Sequence, residues 1–295
     1  MRIIHSLDEM TETARGWLAS GPVGFVPTSG RLHAGHLSLL QAARRECEIT
    51  VASIVTDPEE SKVQYQGAGL MYDLARDVQF LEAAQVDVVF IPRPETLYPS
   101  TFATYVMASG PLIERLECAH FRGRARYMAT VFTKLLQLIR PDITYFGQKS
   151  AQKVALVRRL IHDLCIDTSL RVLPIVREGD GLALSSDNAL LVFAERQAAP
   201  LLYRALLNAK VLIEQGERRV SLLEQSMAAM IASSPLLSLD YAAICDPSTF
   251  VELDLLPALT STPASPGFLL AVAACAGSVR LTDNFQFTRD NYWLI

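Results

Sequence analysis

The sequence predicts an α/β protein, in which a doubly wound parallel sheet is followed by a smaller α+β domain. Strand-like and helix-like stretches alternate through residues 1–176, and this alternation indicates parallel strands with helices on both faces. After Val176 the sequence pattern changes: it is mostly typical of helices, with a few strand-like runs near the end. A chain of 295 residues is also long enough for two domains.

The first domain is predicted to contain five strands and four helices between residues 23 and 176. The strand-like runs are "VGFVPT", "EITVASIVT", "VDVVFIP", "DITYFG" and "SLRVLPIV", and the helix-like runs are "HLSLLQAARREC", "LARDVQFLEAAQ", "YMATVFTKLLQLI" and "AQKVALVRRLIHDLC". Ligands of such sheets bind beyond the carboxyl ends of the strands. The turns "VPTSG", "VTDPEES", "YFGQKS" and "IVREGDG" all follow strands, so we expect them to face one crevice.

The second domain is predicted to cover residues 177–295. Two helical stretches precede "LSLDYAAICDP", "FLLAVAACAG" and "VRLTDN", which are interpreted as short strands. "LTSTPASPG" is a loop by composition.

Composition excludes several classes of function. The net charge of −4 disfavours a nucleic-acid binder, since no basic excess is available for phosphates. We expect no membrane span and no signal peptide, because long apolar runs are lacking. The five cysteines are scattered and lack a CxxC pair, so we expect free thiols and a cytoplasmic protein.

The stretch "HAGH" places His33 and His36 three residues apart, where a glycine-bearing turn enters a helix. Free N–H groups and the helix dipole favour an anion there, and two imidazoles on one face could donate to phosphate oxygens. Gly30 and Gly35 would let the backbone come close. A pair of exposed histidines is the alternative, and zinc is disfavoured because further ligands are missing nearby.

Lys149 and the pair Ser185 and Ser186 also stand at strand–helix turns. A lysine there suits phosphate as a point charge, whereas the serines could simply be helix caps. Taken together with the histidines, these residues indicate a polyphosphate cradle that lacks a Walker A or a GxGxxG sequence.

Four blocks of the chain resemble the pantothenate synthetase (pantoate–β-alanine ligase) family. "VPTSGRLHAGHLSLL" resembles the family's VPTMGxLHxGHLSL, "YFGQK" its YFGEK, "VREGDGLALSSDN" its VREADGLALSSRN, and "LTDN" also matches. The resemblance implies a Rossmann-like nucleotidyltransferase domain of the HIGH type, a C-terminal lid domain and a homodimer. It also implies ATP with Mg²⁺ and two steps, in which an acid is adenylated and an amine then displaces AMP.

The resemblance assigns roles to individual positions. His33, His36, Lys149, Ser185, Ser186 and Arg126 would act on the phosphates and the reacting groups. The positions that would bind the nucleotide are Pro27, Thr28, Ser29, Gly30, Gly35, Gly147, Ser150, Val176 and Leu184. Asp77 matches an acidic position near the metal, although a surface helix residue is the alternative. "HFRG" at 120–123 looks like a family block, but the ungapped register places the family's arginine at Arg126 rather than Arg122.

The sequence departs from the family where the acid and the amine bind. Asp57 and Glu60 replace an Asn and a Gln, Lys153 replaces a second Gln, and Asp187 replaces an Arg. Buried unpaired charges are costly, so these changes indicate that the new charges either pair with one another or meet a charged ligand.

We therefore expect an ATP-dependent ligase that joins a small carboxylic acid to an amine, with at least one substrate different from pantoate and β-alanine. The alternative is a genuine pantothenate synthetase with a rearranged pocket. A second alternative is a nucleotide-binding regulatory protein that has lost catalysis.

Overall fold

The structure, a computed structural model, describes residues 1–17, 20–56, 73–120, 123–257, 259, 267–290 and 292–295. Contacts divide the chain into two compact units. Unit 1 comprises Met1–Ala108, Arg122–Gly147 and Leu156–Leu173, and unit 2 comprises Ser109–Phe121, Gln148–Ala155 and Pro174–Ile295. Two N-terminal segments, 109–121 and 148–155, thus group with the C-terminal part, and the predicted domain boundary at 176/177 stays a prediction.

Unit 1 contains a parallel sheet, as predicted. Its described strands are β1 (Arg2–Ile4), β2 (Val23–Thr28), β3 (Ile49–Ile54), β4 (Val88–Phe90), β5 (Ile143–Gly147) and β6 (Ser169–Leu173). They are ordered β1-β4-β3-β2-β5-β6, and every neighbouring pair is parallel. β2 is central, and the strand order reverses beside it, which is where ligands of open α/β sheets bind.

The described helices connect these strands and continue into unit 2. They are α1 (Leu7–Gly16), α2 (Ala34–Glu46), α3 (Leu74–Ala83), α4 (Pro94–Leu97), α5 (Pro111–Glu114), α6 (Leu116–His120), α7 (Arg124–Ile139), α8 (Ala151–Asp163), α9 (Phe193–Ala198), α10 (Leu201–Glu214) and α11 (Val220–Ala232). Throughout the part of the chain that the structure describes, no helix is long and apolar enough to cross a membrane.

The alternation of side chains along β2 explains why helices cover both faces of the sheet. Phe25 lies in one core with Met10 of α1 and Leu135 of α7. Its neighbour Val26 lies in another core with Leu40 of α2. Successive strand residues point to opposite faces, and each fully buried apolar side chain contributes about 1.5–3 kcal/mol. The doubly wound arrangement is confirmed.

Unit 2 is built on an antiparallel sheet in the order β10-β9-β8-β7. Its described strands are β7 (Leu237–Cys245), β8 (Phe268–Ala276), β9 (Val279–Phe287) and β10 (Trp293–Leu294). α10 and α11 share a core with this sheet, which includes Leu206, Met227 and Phe268. The α+β class is confirmed, but the prediction of short strands was wrong: β7, β8 and β9 have nine residues each. The "LTDN" motif consequently lies inside β9.

Candidate active site

The turn between β2 and α2 is fixed by short-range hydrogen bonds. Thr28 is buried, donates from Oγ1 to the Ser53 carbonyl (2.7 Å) and accepts the Gly30 N–H (3.3 Å). Gly30 has φ +86°, a left-handed conformation that favours glycine. Among the predicted nucleotide positions here, Pro27 is half-buried and Ser29 is exposed.

Asp77 holds the same turn from the first turn of α3. Its carboxylate accepts the N–H groups of Arg31 (2.7 Å) and Leu32 (2.8 Å), one on each oxygen. Asp77 is 3% exposed, so the alternative of a surface residue was wrong. The metal role stays a prediction, and no group of three His, Cys, Asp or Glu suited to a metal occurs among the described residues.

His33 and His36 cap α2 with their own side chains. His33 is the N-cap residue, and its Nδ1 accepts the Gly35 N–H at 3.1 Å. The Nδ1 of His36 accepts the His33 N–H at 3.3 Å, and the ring centroids are 4.2 Å apart. Because a neutral imidazole carries one proton, both rings hold it on Nε2. The turn therefore presents two Nε2–H donors at a helix N-terminus, where anions are favoured.

Gly35 is required by the position of the His33 ring. A Cβ atom at residue 35 would lie 2.8 Å from Cε1 and 3.0 Å from Nδ1 of that ring. The glycine predicted to allow close backbone approach thus makes room for an imidazole of its own chain.

In unit 2, Lys149 lies on the single 3₁₀ turn Gln148–Ser150. It lines a small pocket, here called the lysine pocket, whose other polar lining residues are Ser185, Asn188, Arg280, Thr282 and Asp283. Burial lowers the pKa of Lys149, and the carboxylates of Asp283 and Asp187 oppose that shift. Lys149 and Ser185, predicted separately from sequence, are thus brought together.

Ser185 is both a cap and a pocket residue. Its Oγ accepts the Asp187 N–H (3.3 Å) at the start of the 3₁₀ helix Ser186–Leu190, which is the capping role that sequence alone favoured. The hydroxyl also approaches the Asp187 carboxylate (3.5 Å). Ser186, the other predicted hydroxyl, is half-buried in the first turn of that helix.

Two of the predicted nucleotide positions in unit 2, Val176 and Leu184, are paired through the backbone. The N–H of Leu184 donates to the Val176 carbonyl at 2.9 Å, and both residues are half-buried. The remaining predicted nucleotide positions flank Lys149: Gly147 ends β5, and Ser150 is exposed at the end of the 3₁₀ turn.

The predicted acid and amine residues are only partly covered. Asp57 and Glu60 lie outside the described residues, so the predicted arrangement of Lys153 opposite the "TDPEES" loop stays a prediction. Lys153 is half-buried in the first turn of α8. Asp187 is close enough to Lys149 for its charge to raise the lysine's pKa. A carboxylate therefore stands beside the lysine where the family carries an arginine.

The structure places Arg126 in the first turn of α7. The residue is exposed, and its guanidinium lies 4.7 Å from the centre of the Tyr105 ring. Arg122 lies outside the described residues. The choice between the two arginines stays a prediction.

Sequence reasoning missed four residues around the lysine pocket: Arg177, Arg280, Asp283 and Asn284. Arg177 forms a bidentate ion pair with Asp283 (2.7 and 2.9 Å). Arg280 pairs with Glu117 (2.7 and 2.8 Å) and Asp240 (2.6 and 2.9 Å). The "LTDN" motif was the signal for Asp283 and Asn284, but their partners are over a hundred positions away.

Comparisons with known proteins agree with the fold. The sequence matches the family model described as Pantoate-beta-alanine ligase over residues 2–286. A pantothenate synthetase of Chloroflexus aggregans is 41% identical over 285 residues, which cover 97% of this chain and 99% of that protein. One of Herpetosiphon aurantiacus is 38% identical over 287 residues, with 96% and 99% covered.

Solved structures of pantothenate synthetases share the fold of this chain. Pantothenate synthetase from Thermus thermophilus superimposes with a TM-score of 0.85 at 37% identity, covering 96% of this chain and 98% of that one. Pantoate-beta-alanine ligase from Francisella tularensis gives a TM-score of 0.74 at 27% identity, with 97% of each chain covered. That protein was crystallised in complex with beta-gamma ATP and beta-alanine.

The fold is shared with a solved pantothenate synthetase at 37% identity and is that of an α/β ligase, and the family match over nearly the whole chain narrows the class of protein further. The protein belongs to the pantoate–β-alanine ligase family. It is therefore an enzyme of the ATP-dependent, AMP-forming C–N ligases.

Proposed function

We propose that the enzyme joins pantoate to β-alanine and converts ATP to AMP and pyrophosphate. The observation that carries this proposal is the side-chain capping of α2 by His33 and His36, which supplies two neutral Nε2–H donors at a helix N-terminus. The substrates are inferred from relatives about 40% identical over nearly the whole chain, which are named pantothenate synthetase. This reverses the expectation of a changed substrate in favour of its alternative.

In the first step, a pantoate carboxylate oxygen attacks the α-phosphorus of ATP. The bond to the bridging oxygen breaks, and its electron pair leaves with pyrophosphate. Negative charge grows on the phosphate oxygens, and preorganised donors stabilise such charge most effectively. We assign this role to the Nε2–H groups of His33 and His36, and to the ammonium of Lys149.

In the second step, the β-alanine amine attacks the acyl carbon of the adenylate. The acyl C–O bond breaks, AMP leaves with the electron pair, and the nitrogen loses a proton as the amide forms. Ser185, which lines the lysine pocket, is assigned to hydrogen-bond the phosphate that leaves.

Magnesium enters this proposal as the counter-ion of the substrate ATP. Among the described residues no group of three His, Cys, Asp or Glu suits a metal, and both Asp77 oxygens accept backbone N–H groups. Mg²⁺ binds proteins through few carboxylates together with substrate phosphates, so a complex with ATP is consistent with this site.

A second candidate, a ligase for another acid or amine, is favoured by one observation. Asp187 lies near Lys149 in place of the family's arginine, and it reverses a charge where a substrate carboxylate would be attracted. A cationic or neutral amine would be better accommodated there than β-alanine.

One assay separates these candidates and the inactive alternative. AMP release is measured with ATP·Mg²⁺, pantoate and β-alanine, and then with each acid or amine of a panel in place of one substrate. We expect AMP with the pantoate pair and rescue of a pantothenate-requiring strain. AMP only with another pair supports the second candidate, ADP excludes the adenylate route, and no turnover with any pair supports the inactive alternative.

We further propose a cytoplasmic homodimer. All five cysteines are free thiols, which is typical of a reducing compartment. The dimer rests on the family resemblance, and sedimentation equilibrium tests it.

A further inference from the structure

Both polar atoms of the Asn284 side chain, on β9, hydrogen-bond to the turn that bears Lys149. Its Nδ2 donates to the carbonyls of Gln148 (3.1 Å) and Lys149 (3.2 Å). Its Oδ1 accepts the Gln148 Nε2–H at 2.9 Å. Asn284 is 4% exposed and Gln148 is 1% exposed, so these bonds are shielded from water.

These contacts hold the short turn that leads directly into α8, which begins at Ala151. The hydrogen bonds of a 3₁₀ turn have poorer geometry than those of an α-helix, so donors from another element add to its stability. The Asn284 amide supplies two such donors, to the carbonyls of Lys149 and of the residue before it. No carboxylate could do this, because an ionised Asp has acceptors only.

Asp283 supplies the matching charge. It is buried, and Arg177 and the Asn284 N–H (2.8 Å) hydrogen-bond to its oxygens. Asp283 and Lys149 line the same pocket, where the negative charge of Asp283 favours the ammonium form of the lysine against burial. Asp187 and Glu117 act in the same direction, and Arg177 opposes them. Burying a cation is costly unless a counter-charge compensates it.

We propose that Asn284 and Asp283 are positioning residues for Lys149, the first fixing its backbone and the second keeping its side chain charged. The proposal rests on the proposed role of Lys149 in phosphate stabilisation. Neither residue is assigned a contact with substrate. Two adjacent residues of one strand thus determine where the lysine stands and which charge it carries.

A double-mutant cycle tests the role of Asn284. Lys149→Ala is expected to slow AMP release by ~10²-fold, the usual effect of losing a transition-state charge contact. Asn284→Ala is expected to slow it by about tenfold or more, because misplaced catalytic groups lose much of their effect. The double variant should be no slower than Lys149→Ala within about twofold, since residues that act as a unit are not additive.

Asn208→Ala is the matched control. Asn208 is a partly buried amide of α10 in the same unit, and it donates to Ser226 Oγ at 2.8 Å. Its effect on AMP release should be small and should multiply with that of Lys149→Ala. The same multiplication for Asn284→Ala would show a general structural role and would overturn the proposal.

Asp283→Asn gives an independent readout. Removing its charge should lower the pKa of Lys149 further, so the charged form is lost at lower pH. The alkaline limb of the kcat–pH profile should move down by about one pH unit, whereas Asn208→Ala should leave it in place. An unmoved limb in a folded Asp283→Asn variant would remove Asp283 from the proposal.

The outcomes also separate this inference from the proposed function. No effect of Lys149→Ala would refute the phosphate role itself, whereas an effect of Lys149→Ala without one of Asn284→Ala would refute only the positioning. If pantoate and β-alanine are not substrates, the same cycle is measured on the Kd of ATP·Mg²⁺ by calorimetry. If Asn284→Ala fails to fold, Asn284→Leu replaces it, since leucine keeps a similar branched shape, lacks the amide donors and adds no charge.

Discussion

The Nδ1 atom of His36 accepts the backbone N–H of His33 at 3.3 Å, so a hydrogen bond joins the two histidines of the motif at the start of α2. The second histidine orients the first residue of the pair, while the first caps the helix. The structural role and the proposed chemical role therefore fall on the same imidazoles, and substitutions can separate them.

His33→Asn separates capping from donation. Asparagine is a good N-cap, so the free energy of unfolding should change by less than about 0.5 kcal/mol, whereas His33→Ala should lose about 1 kcal/mol. Both variants should lose ~10²-fold or more in AMP release, because both lack the Nε2–H donor. Urea unfolding and AMP release check the two effects. Near-normal activity of His33→Asn would assign His33 to capping alone.

Gly35→Ala should displace the His33 ring. The new Cβ would stand 2.8 Å from Cε1, which a real structure relieves by moving the ring. AMP release is expected to fall by about tenfold or more, although alanine is the better helix former by about 0.5–1 kcal/mol. Gly16→Ala is the control, because nothing lies within 4 Å of a Cβ there. Equal activity of both variants would contradict the prediction.

Asp77→Asn should loosen the turn before α2. The amide keeps one acceptor and turns its NH₂ group toward a backbone N–H, so one buried donor is left unsatisfied at a cost of about 1–3 kcal/mol. We expect lower stability, measured by thermal unfolding, and slower AMP release, measured by the assay described above. Asp73→Asn on the same helix is the control, because Asn and Asp cap equally well. A stability loss equal to that of Asp73→Asn would count against the turn-holding role.

Asp187→Arg restores the family's charge. If pantoate and β-alanine are the substrates, the KM for β-alanine should improve by less than about threefold. A gain above about tenfold would favour the second candidate, since it would show that Asp187 excludes a substrate carboxylate. Lys153→Gln is measured in parallel with pantoate as the varied substrate.

Local pattern predicted β2 to β6 because buried parallel strands are continuous apolar runs. It did not predict β1, which has only three residues, or α1. The histidine turn was visible because it lies between a predicted strand and a predicted helix. Local sequence pattern could not predict the order of the strands in the sheet. It also could not predict that segments 109–121 and 148–155 group with unit 2. That grouping depends on distant contacts, such as the Gln152 side chain donating to the Arg115 carbonyl at 3.0 Å and the pair of Glu117 with Arg280.

The site was predictable to the extent that each residue type revealed its chemistry locally. His33, His36 and Lys149 carry donors wherever they stand, so their spacing was informative. Asp77 was assigned to a metal by the family resemblance, and nothing near it in sequence shows that Arg31 and Leu32 provide its partners. Asn284 matched a motif but received no role, since its three hydrogen bonds reach residues 135 and 136 positions away.

The capped histidine pair limits which residues evolution can exchange at this turn. Lysine and arginine carry more positive charge, yet neither has an acceptor for the N–H groups at the start of α2. Aspartate accepts well but cannot donate to a phosphate. A neutral imidazole accepts on one edge of a rigid ring and donates on the other, so a stronger cation at either position would improve electrostatic attraction at the expense of the helix start. Because Gly35 and His36 both hydrogen-bond to His33, a substitution at any one of these three positions is expected to disturb the other two.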